Sequence, residues 1–155
     1  MIILEDTRQQ AGKHKNLDSY FAKAGIAVER CCLYVGDYAI ASDQSRAVDT
    51  KQDVLEIAKD IMSADHERFR AECERAQRAG IKLLVLIEEV LPDGGLNEWT
   101  APTDKTGRAL TAIKGSALKR AMLTMTMKYG VRFRFCDGRQ TGRLIVEYLT
   151  EGVLP

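Results

Sequence analysis

Apolar and polar positions along the chain fall into short segments whose period changes repeatedly. "MIILED" opens with an apolar run of strand length that ends in acids. "NLDSYFAKAG" follows with helical spacing, Asn16 standing as the predicted N-cap and Gly25 as the stop. "IAVERCCLY" reads as a strand. "DYAIA" and "RAVDT" flank the turn-rich "SDQS" and predict a hairpin. "DVLEIAKDIM" is amphipathic, with Val54, Ile57, Ala58 and Ile61 on one helical face. "ADHERFRAECERAQRAG" predicts another helix, closed by Gly80 and striped by Phe69, Cys73 and Ala76. "IKLLVLIEE" is almost continuously apolar, the pattern of a strand covered on both faces.

Residues 91–115 carry Pro92, Asp93-Gly94-Gly95 and Pro102, and predict irregular structure. Beyond them, "SALKRAMLTMTMKYG" predicts a helix from an N-cap at Ser116 to Gly130, with Met122, Met125 and Met127 as packing residues. "VRFRFC" predicts a strand and "GRLIVEYL" a last helix. The order β-α-β-hairpin-α-α-β-α-β-α calls for an α/β fold: a mixed central β-sheet flanked by helices on both faces. No repeat or linker interrupts it, so residues 1–155 are expected to form a single domain.

Composition narrows the classes. A hydrophobic share of 45% with 29% charged residues fits a soluble globular chain, and the longest apolar runs are far too short to cross a membrane. The N-terminus lacks the basic and apolar regions of a signal peptide, so a cytoplasmic location is expected. Cys31, Cys32, Cys73 and Cys136 form no CxxC pair, and only two histidines accompany them, which argues against structural zinc. Reduced, mostly buried thiols are the expectation. A net charge of +1 means that nucleic-acid contact must come from a local basic patch. The sequence contains neither GxGxxG nor GxxxxGK[ST], so no nucleotide cofactor is expected.

Function in α/β sheets concentrates at strand ends. Asp6 follows the first strand, Asp37 starts the hairpin and Asp49 ends its second arm, with Lys51 two residues on. Period-two alternation turns Asp49 and Lys51 to one side, and Asp37 converges from the opposite arm. Carboxylates sharing a small volume repel one another, and a divalent cation relieves that repulsion. Mg²⁺ takes oxygen ligands, and a neighbouring lysine can orient or deprotonate a water at a phosphodiester. The spacing alone leaves a solvated hairpin as the open alternative.

More than spacing is present. "VGDYAI" followed by "VDTK" resembles the "GDY/F … V-E-R-K" core of the XPF-type structure-specific nucleases, within the PD-(D/E)xK superfamily. "IILEDTRQ" resembles their opening "vDxRE", and "ERFRAECERAQRAGIKLLVLIEE" resembles "gRyxxQxxRL…vxLIE". "KGSALKRAMLTMTMKYGVRFRFCDGRQTGRLI" resembles their closing helix, strand and helix, so the likeness spans nearly the whole chain.

The resemblance implies a restriction-endonuclease-like nuclease fold and a Mg²⁺- or Mn²⁺-dependent DNA endonuclease acting on branched or flapped DNA in repair, recombination or phage DNA processing. It implies Asp6, Asp37 and Asp49 as acidic metal positions, the Thr50 carbonyl as a further ligand, Lys51 as catalytic lysine, and Arg68 and Glu72 as supporting helix residues. Three positions depart from the pattern. Asp49-Thr50 stand for Glu-Arg, shortening one ligand and removing a cation, and Gln9 stands near a frequent glutamate. A helix-hairpin-helix module is missing after the nuclease pattern, which suggests a stand-alone form from bacteria or their phages, in a bacterial or infected host cell. A homodimer through the C-terminal helices is also implied. The alternative is a non-catalytic DNA-binding module with a degenerate nuclease site.

Cations complete the candidate list. Arg8, Lys13, His14 and Lys15 cluster after the first strand, as phosphate contacts or a solvated loop. Lys105, Arg108 and Lys114 lie in the long irregular stretch, and Lys114-Gly115-Ser116 leads into a helix N-terminus, a natural phosphate site. Glu88 and Glu89 end the apolar strand and could face a cleft, and Trp99 could stack on a base or anchor the loop.

Overall fold

The computed structural model describes residues 1–9, 15–64 and 66–153, with Lys15 described as backbone. Six strands form one sheet in the order β2-β1-β3-β4-β5-β6. They are β1 (Ile2–Asp6), β2 (Ala27–Cys31), β3 (Tyr38–Ile40), β4 (Asp43–Lys51), β5 (Lys82–Ile87) and β6 (Arg132–Phe135). The helices are α1 (Lys15–Lys23), α2 (Val54–Met62), α3 (His66–Arg78), α4 (Gly115–Tyr129) and α5 (Thr141–Glu151). Strand β1 pairs parallel with β2 and antiparallel with β3, which pairs antiparallel with β4; β4, β5 and β6 are parallel. Only β3 runs against the rest, so the sheet is mixed, as the element order predicts.

Alternation along β5 explains its apolar run. Leu83, Val85 and Ile87 face one core with Phe69, Cys73 and Ala76 of α3, Leu118 and Met122 of α4, and Val54 and Ile57 of α2. Leu84 and Leu86 face the other, with Leu17 and Phe21 of α1 and Ile145, Tyr148 and Leu149 of α5. A strand covered on both faces has no polar position to spare. Each fully buried aliphatic side chain in these layers contributes roughly 1.5–3 kcal/mol.

Several boundaries differ from the sequence reading. Helix α1 already includes Lys15, so Asn16 lies inside it. The hairpin turns at Ala41 and Ser42, and Asp43 to Ser45 belong to β4; a register shift between Tyr38 and Ile40 absorbs the difference. Helix α4 starts at Gly115, capped by the backbone of Lys114 and not by the Ser116 side chain. A Cβ at Gly115 would collide with the Leu96 carbonyl, so close packing on a short 3-10 helix (Gly95–Glu98) sets that start. Met122 is buried but Met127 faces solvent. Cys73 and Cys136 are buried, Cys31 is half-buried and Cys32 exposed, so the thiols are less covered than expected. Among the described residues, no helix is long and apolar enough to cross a membrane.

Candidate active site

The reversed strand is what gathers the acids. Because β3 runs against β1 and β4, its N-terminal end meets their C-terminal ends. Asp6 ends β1, Asp37 precedes β3, and Asp49 to Lys51 end β4. Gly36 makes the approach close enough. Its φ is +73°, and a Cβ there would sit 2.9 Å from the Val48 carbonyl oxygen. The next residue, Asp37, donates its backbone N–H to that same oxygen at 2.7 Å, and its own carbonyl accepts from Asp6 N at 2.8 Å.

These ends floor a cleft of about 410 Å³. Its lining brings together Asp6, Arg8, Asp37, Asp49, Thr50, Lys51, Arg68 and Glu72 from the sequence reading. It adds Gln9, Gly36, Glu56, Asp60, Phe69 and Arg75. Lys105, Arg108 and Lys114 do not line it. Lys105 and Arg108 belong to a loop folded around the Asp104 carboxylate, which accepts from the N–H groups of Thr106 and Arg108. Lys13 and His14 lie outside the described residues, as does the side chain of Lys15.

Each carboxylate has a different environment. Asp37 Oδ2 accepts from the Thr50 backbone N–H at 2.7 Å and from Thr50 Oγ1 at 2.8 Å. Gln9 Nε2 in turn donates to Thr50 Oγ1 at 3.2 Å, so two of the three departures from the family pattern, Gln9 and Thr50, lie in one hydrogen-bonded chain. Asp6 is saturated: Arg8 donates from its backbone N, Nε and Nη2, and Leu33 from its N–H. Burial raises the pKa of Asp6, but the Arg8 and Leu33 bonds outweigh it and hold the carboxyl below the ordinary aspartate value.

Asp49 is the contrast. It is 4% exposed, and its Oδ2 has no donor in hydrogen-bond geometry among the described residues. Lys51 Nζ lies 3.0 Å from that oxygen as an ion pair. Burial, then repulsion from Asp37, push the Asp49 carboxyl well above the ordinary value, and Lys51 offsets this only in part. Lys51 Nζ also meets Asp60 Oδ2 at 2.9 Å and stands 5.5 Å from the centre of the Phe69 ring. Burial would lower the lysine pKa, but Asp49 and Asp60 outweigh it and keep the ammonium charged.

Glu72 works as a brace, its Oε1 accepting from Gly36 N at 2.8 Å. Arg68 is exposed on the cleft wall, and Arg75 reaches the Tyr34 carbonyl from the same helix. Glu89 does not enter the cleft. It accepts from Val54 N at the start of α2 and from Trp99 Nε1, and Trp99 is a buried anchor of the irregular segment.

Asp37, Asp49 and Thr50 line the cleft together and offer oxygen atoms, the donor type that Mg²⁺ or Mn²⁺ accepts, and Asp49 Oδ2 is buried without a hydrogen-bond donor among the described residues. Among the described residues, no group of three or more His, Cys, Asp or Glu side chains is assembled to hold a metal by side chains alone. A cation here would draw on main chain and water as well.

The profile of the ERCC4 domain matches residues 6–148. The chain belongs to the ERCC4 domain family. The fold of this ERCC4 domain is also that of solved relatives. XPF from Aeropyrum pernix superposes with a TM-score of 0.66 at 18% identity, over 96% of this chain and 63% of that one. A second structure, XPF from Aeropyrum pernix in complex with DNA, gives 0.65 at 18%, over 94% and 62%. The chain thus spans less than two thirds of the XPF chains it matches. No curated protein is a significant sequence match.

Proposed function

We propose that this ERCC4 domain, acting as a single nuclease domain over residues 1–155, is a divalent-metal-dependent endonuclease that hydrolyses DNA phosphodiesters, with branched or flapped DNA as its substrate. The observation that carries the reading is Asp49: a buried carboxylate with an orphaned oxygen, beside a charged lysine, at the floor of an open cleft. A buried carboxylate whose pKa is raised by burial and by a second carboxylate, in an open cleft beside a lysine, is the kind of group that gathers at functional sites. Family membership and the fold shared with a DNA-bound relative support DNA as the partner. In a cell, this activity belongs to DNA repair, recombination or phage DNA processing.

Asp37, Asp49 and the Thr50 carbonyl would hold Mg²⁺ or Mn²⁺. The ion would supply Lewis acidity at the scissile phosphate and a more acidic bound water. The chain's own residues do the positioning. Thr50 and Gln9 fix Asp37. Lys51, kept charged by Asp49 and Asp60 in the metal-free chain, would orient the attacking water and offset charge on the phosphate. Asp6 contributes through Arg8, whose guanidinium it aims along the cleft. Arg68 and Arg75 offer cations to the DNA backbone from α3. Exposed Leu123 and Met127 on α4 would give a second copy an apolar surface on which to pair.

The test is cleavage of labelled single strand, duplex, flap, fork and four-way junction with Mg²⁺, Mn²⁺ or EDTA. Lys51→Ala and Asp37→Asn run alongside. Metal-dependent cutting by wild type that both variants lose is the expected result. DNA binding that survives EDTA, with no cutting of any substrate, would establish the non-catalytic module instead.

A further inference from the structure

We propose that Asp60 is a positioning residue for Lys51, drawing the ammonium off Asp49 so that Asp49 stays available to a divalent cation. The proposal rests on the nuclease reading above. Asp60 lies in "DVLEIAKDIM", on the polar face that the sequence pattern assigns to solvent. Its place comes from the start of α2. Asp53 caps the helix by accepting from Glu56 N at 2.7 Å, only two residues after Lys51. The chain therefore turns back at once, and Glu56 and Asp60, one turn apart on α2, both come to line the cleft.

Lys51 Nζ is shared almost evenly, 3.0 Å from Asp49 and 2.9 Å from Asp60. Phe69 closes a third side at 5.5 Å. A lysine is a compact charge on a flexible stem and moves readily between partners. Mg²⁺ binds carboxylate oxygen at roughly 2.0–2.1 Å. An ammonium at ion-pair distance from the same buried oxygen would crowd and repel that ion. Asp60 gives the ammonium a partner it already touches, so Lys51 yields Asp49 without leaving the site. Without Asp60, Asp49 is its remaining ion-pair partner, and lysine and metal compete for one oxygen.

The experiment titrates DNA-free protein with Mn²⁺ and follows the free ion by electron paramagnetic resonance. Wild type, Asp60→Asn, Lys51→Ala and the double variant are compared, with thermal melts confirming the fold. Asp60→Asn is expected to weaken Mn²⁺ binding by about 10–100-fold, the usual range for groups that support metal ligands. In the Lys51→Ala background the same change should matter by less than about twofold, because no ammonium is left to compete. DNA cutting by Asp60→Asn should recover at raised Mn²⁺, which a general loss of fold does not produce. If Asp60→Asn melts early, Asp60→Ser carries the comparison. Equal losses in both backgrounds, or wild-type affinity in Asp60→Asn, would overturn the role of Asp60 and leave the nuclease reading standing. A wild type that binds no Mn²⁺ would overturn both.

Discussion

Consider Asp49→Asn in protein free of divalent cations. The aspartate is nearly fully covered, its Oδ2 lacks a hydrogen-bond donor, and Asp37 and Glu72 repel it. Lys51 compensates incompletely because it is shared with Asp60. An unsatisfied buried polar group costs about 1–3 kcal/mol. Asparagine keeps the shape, removes the charge and brings donors into acid-rich surroundings, while Lys51 keeps Asp60 and Phe69. The variant should therefore be more stable than wild type by about 1–3 kcal/mol, or roughly 2–12 °C in Tm for a chain of this size. The pH dependence has a definite sign. The folded-state pKa of Asp49 is raised, so wild type carries its penalty above that value and sheds it as pH falls through it. The gap between variant and wild type should be widest at alkaline pH and vanish below the ordinary aspartate value of 3.8. Mg²⁺ should raise the Tm of wild type and leave the variant unmoved. Thermal and urea unfolding in EDTA, then in Mg²⁺, across pH 4 to 8.5 reads all of this. A variant no more stable than wild type at pH 8, or a gap that grows on acidification, would refute the reasoning.

Three further changes test the frame around the site. Gly36→Ala places a Cβ at positive φ and 2.9 Å from the Val48 carbonyl; the left-handed backbone alone should cost about 1–2 kcal/mol in urea unfolding, with loss of DNA cutting as Asp37 shifts. Glu72→Gln retains the acceptor for Gly36 N and removes a charge near Asp49, so its melting point should not fall, whereas Glu72→Ala strands that N–H at about 1–3 kcal/mol. Trp99→Phe loses the bond to Glu89 Oε1 and should cost about 1.5–3 kcal/mol in urea unfolding with no change in DNA affinity, because Trp99 is an anchor and not a stacking platform.

The order of elements was legible because each segment carries its own period: "DVLEIAKDIM" can bury only one face, and "LLVLI" only both. The boundaries that moved were those fixed by tertiary contact. Ser116 looks like a cap, yet packing of Gly115 on Leu96 starts the helix one residue earlier. Of the site, Asp37, Asp49 and Lys51 were legible from spacing and from the family pattern, since strand alternation alone turns Asp49 and Lys51 together. Asp60 was not legible. On a helix period it is one more solvated acid, and only the tight turn after Lys51 folds it back over the cleft. Glu89 shows the converse error: a strand-end acid that points away from the cleft, because a capping N–H and an indole claim it first. The basic loop at Lys105 and Arg108 carries charge in the sequence but does not reach the cleft, since Asp104 folds it on itself.

The lining of the cleft is more acidic than basic. Six carboxylates line it, Asp6, Asp37, Asp49, Glu56, Asp60 and Glu72, against four cations, Arg8, Lys51, Arg68 and Arg75. Two of the cations are committed inside it, Arg8 to Asp6 and Lys51 shared between Asp49 and Asp60. Asp37, Glu56 and Glu72 accept only from neutral donors, of Thr50, Gln52 and Gly36, so the floor stays net negative beneath the two arginines of α3. A surface of that sign repels a phosphodiester at close range, however basic its rim. A protein that only held DNA would gain affinity by losing Asp49, and would gain stability as well. In the proposed reading a dication joins this carboxylate, and there it would turn the repulsive floor into an attractive one for phosphate. On that reading, the feature that costs the folded chain stability is also the one that would separate a nuclease site from a DNA-binding groove, and metal-dependent stabilisation lost in Asp49→Asn is what tells the two apart.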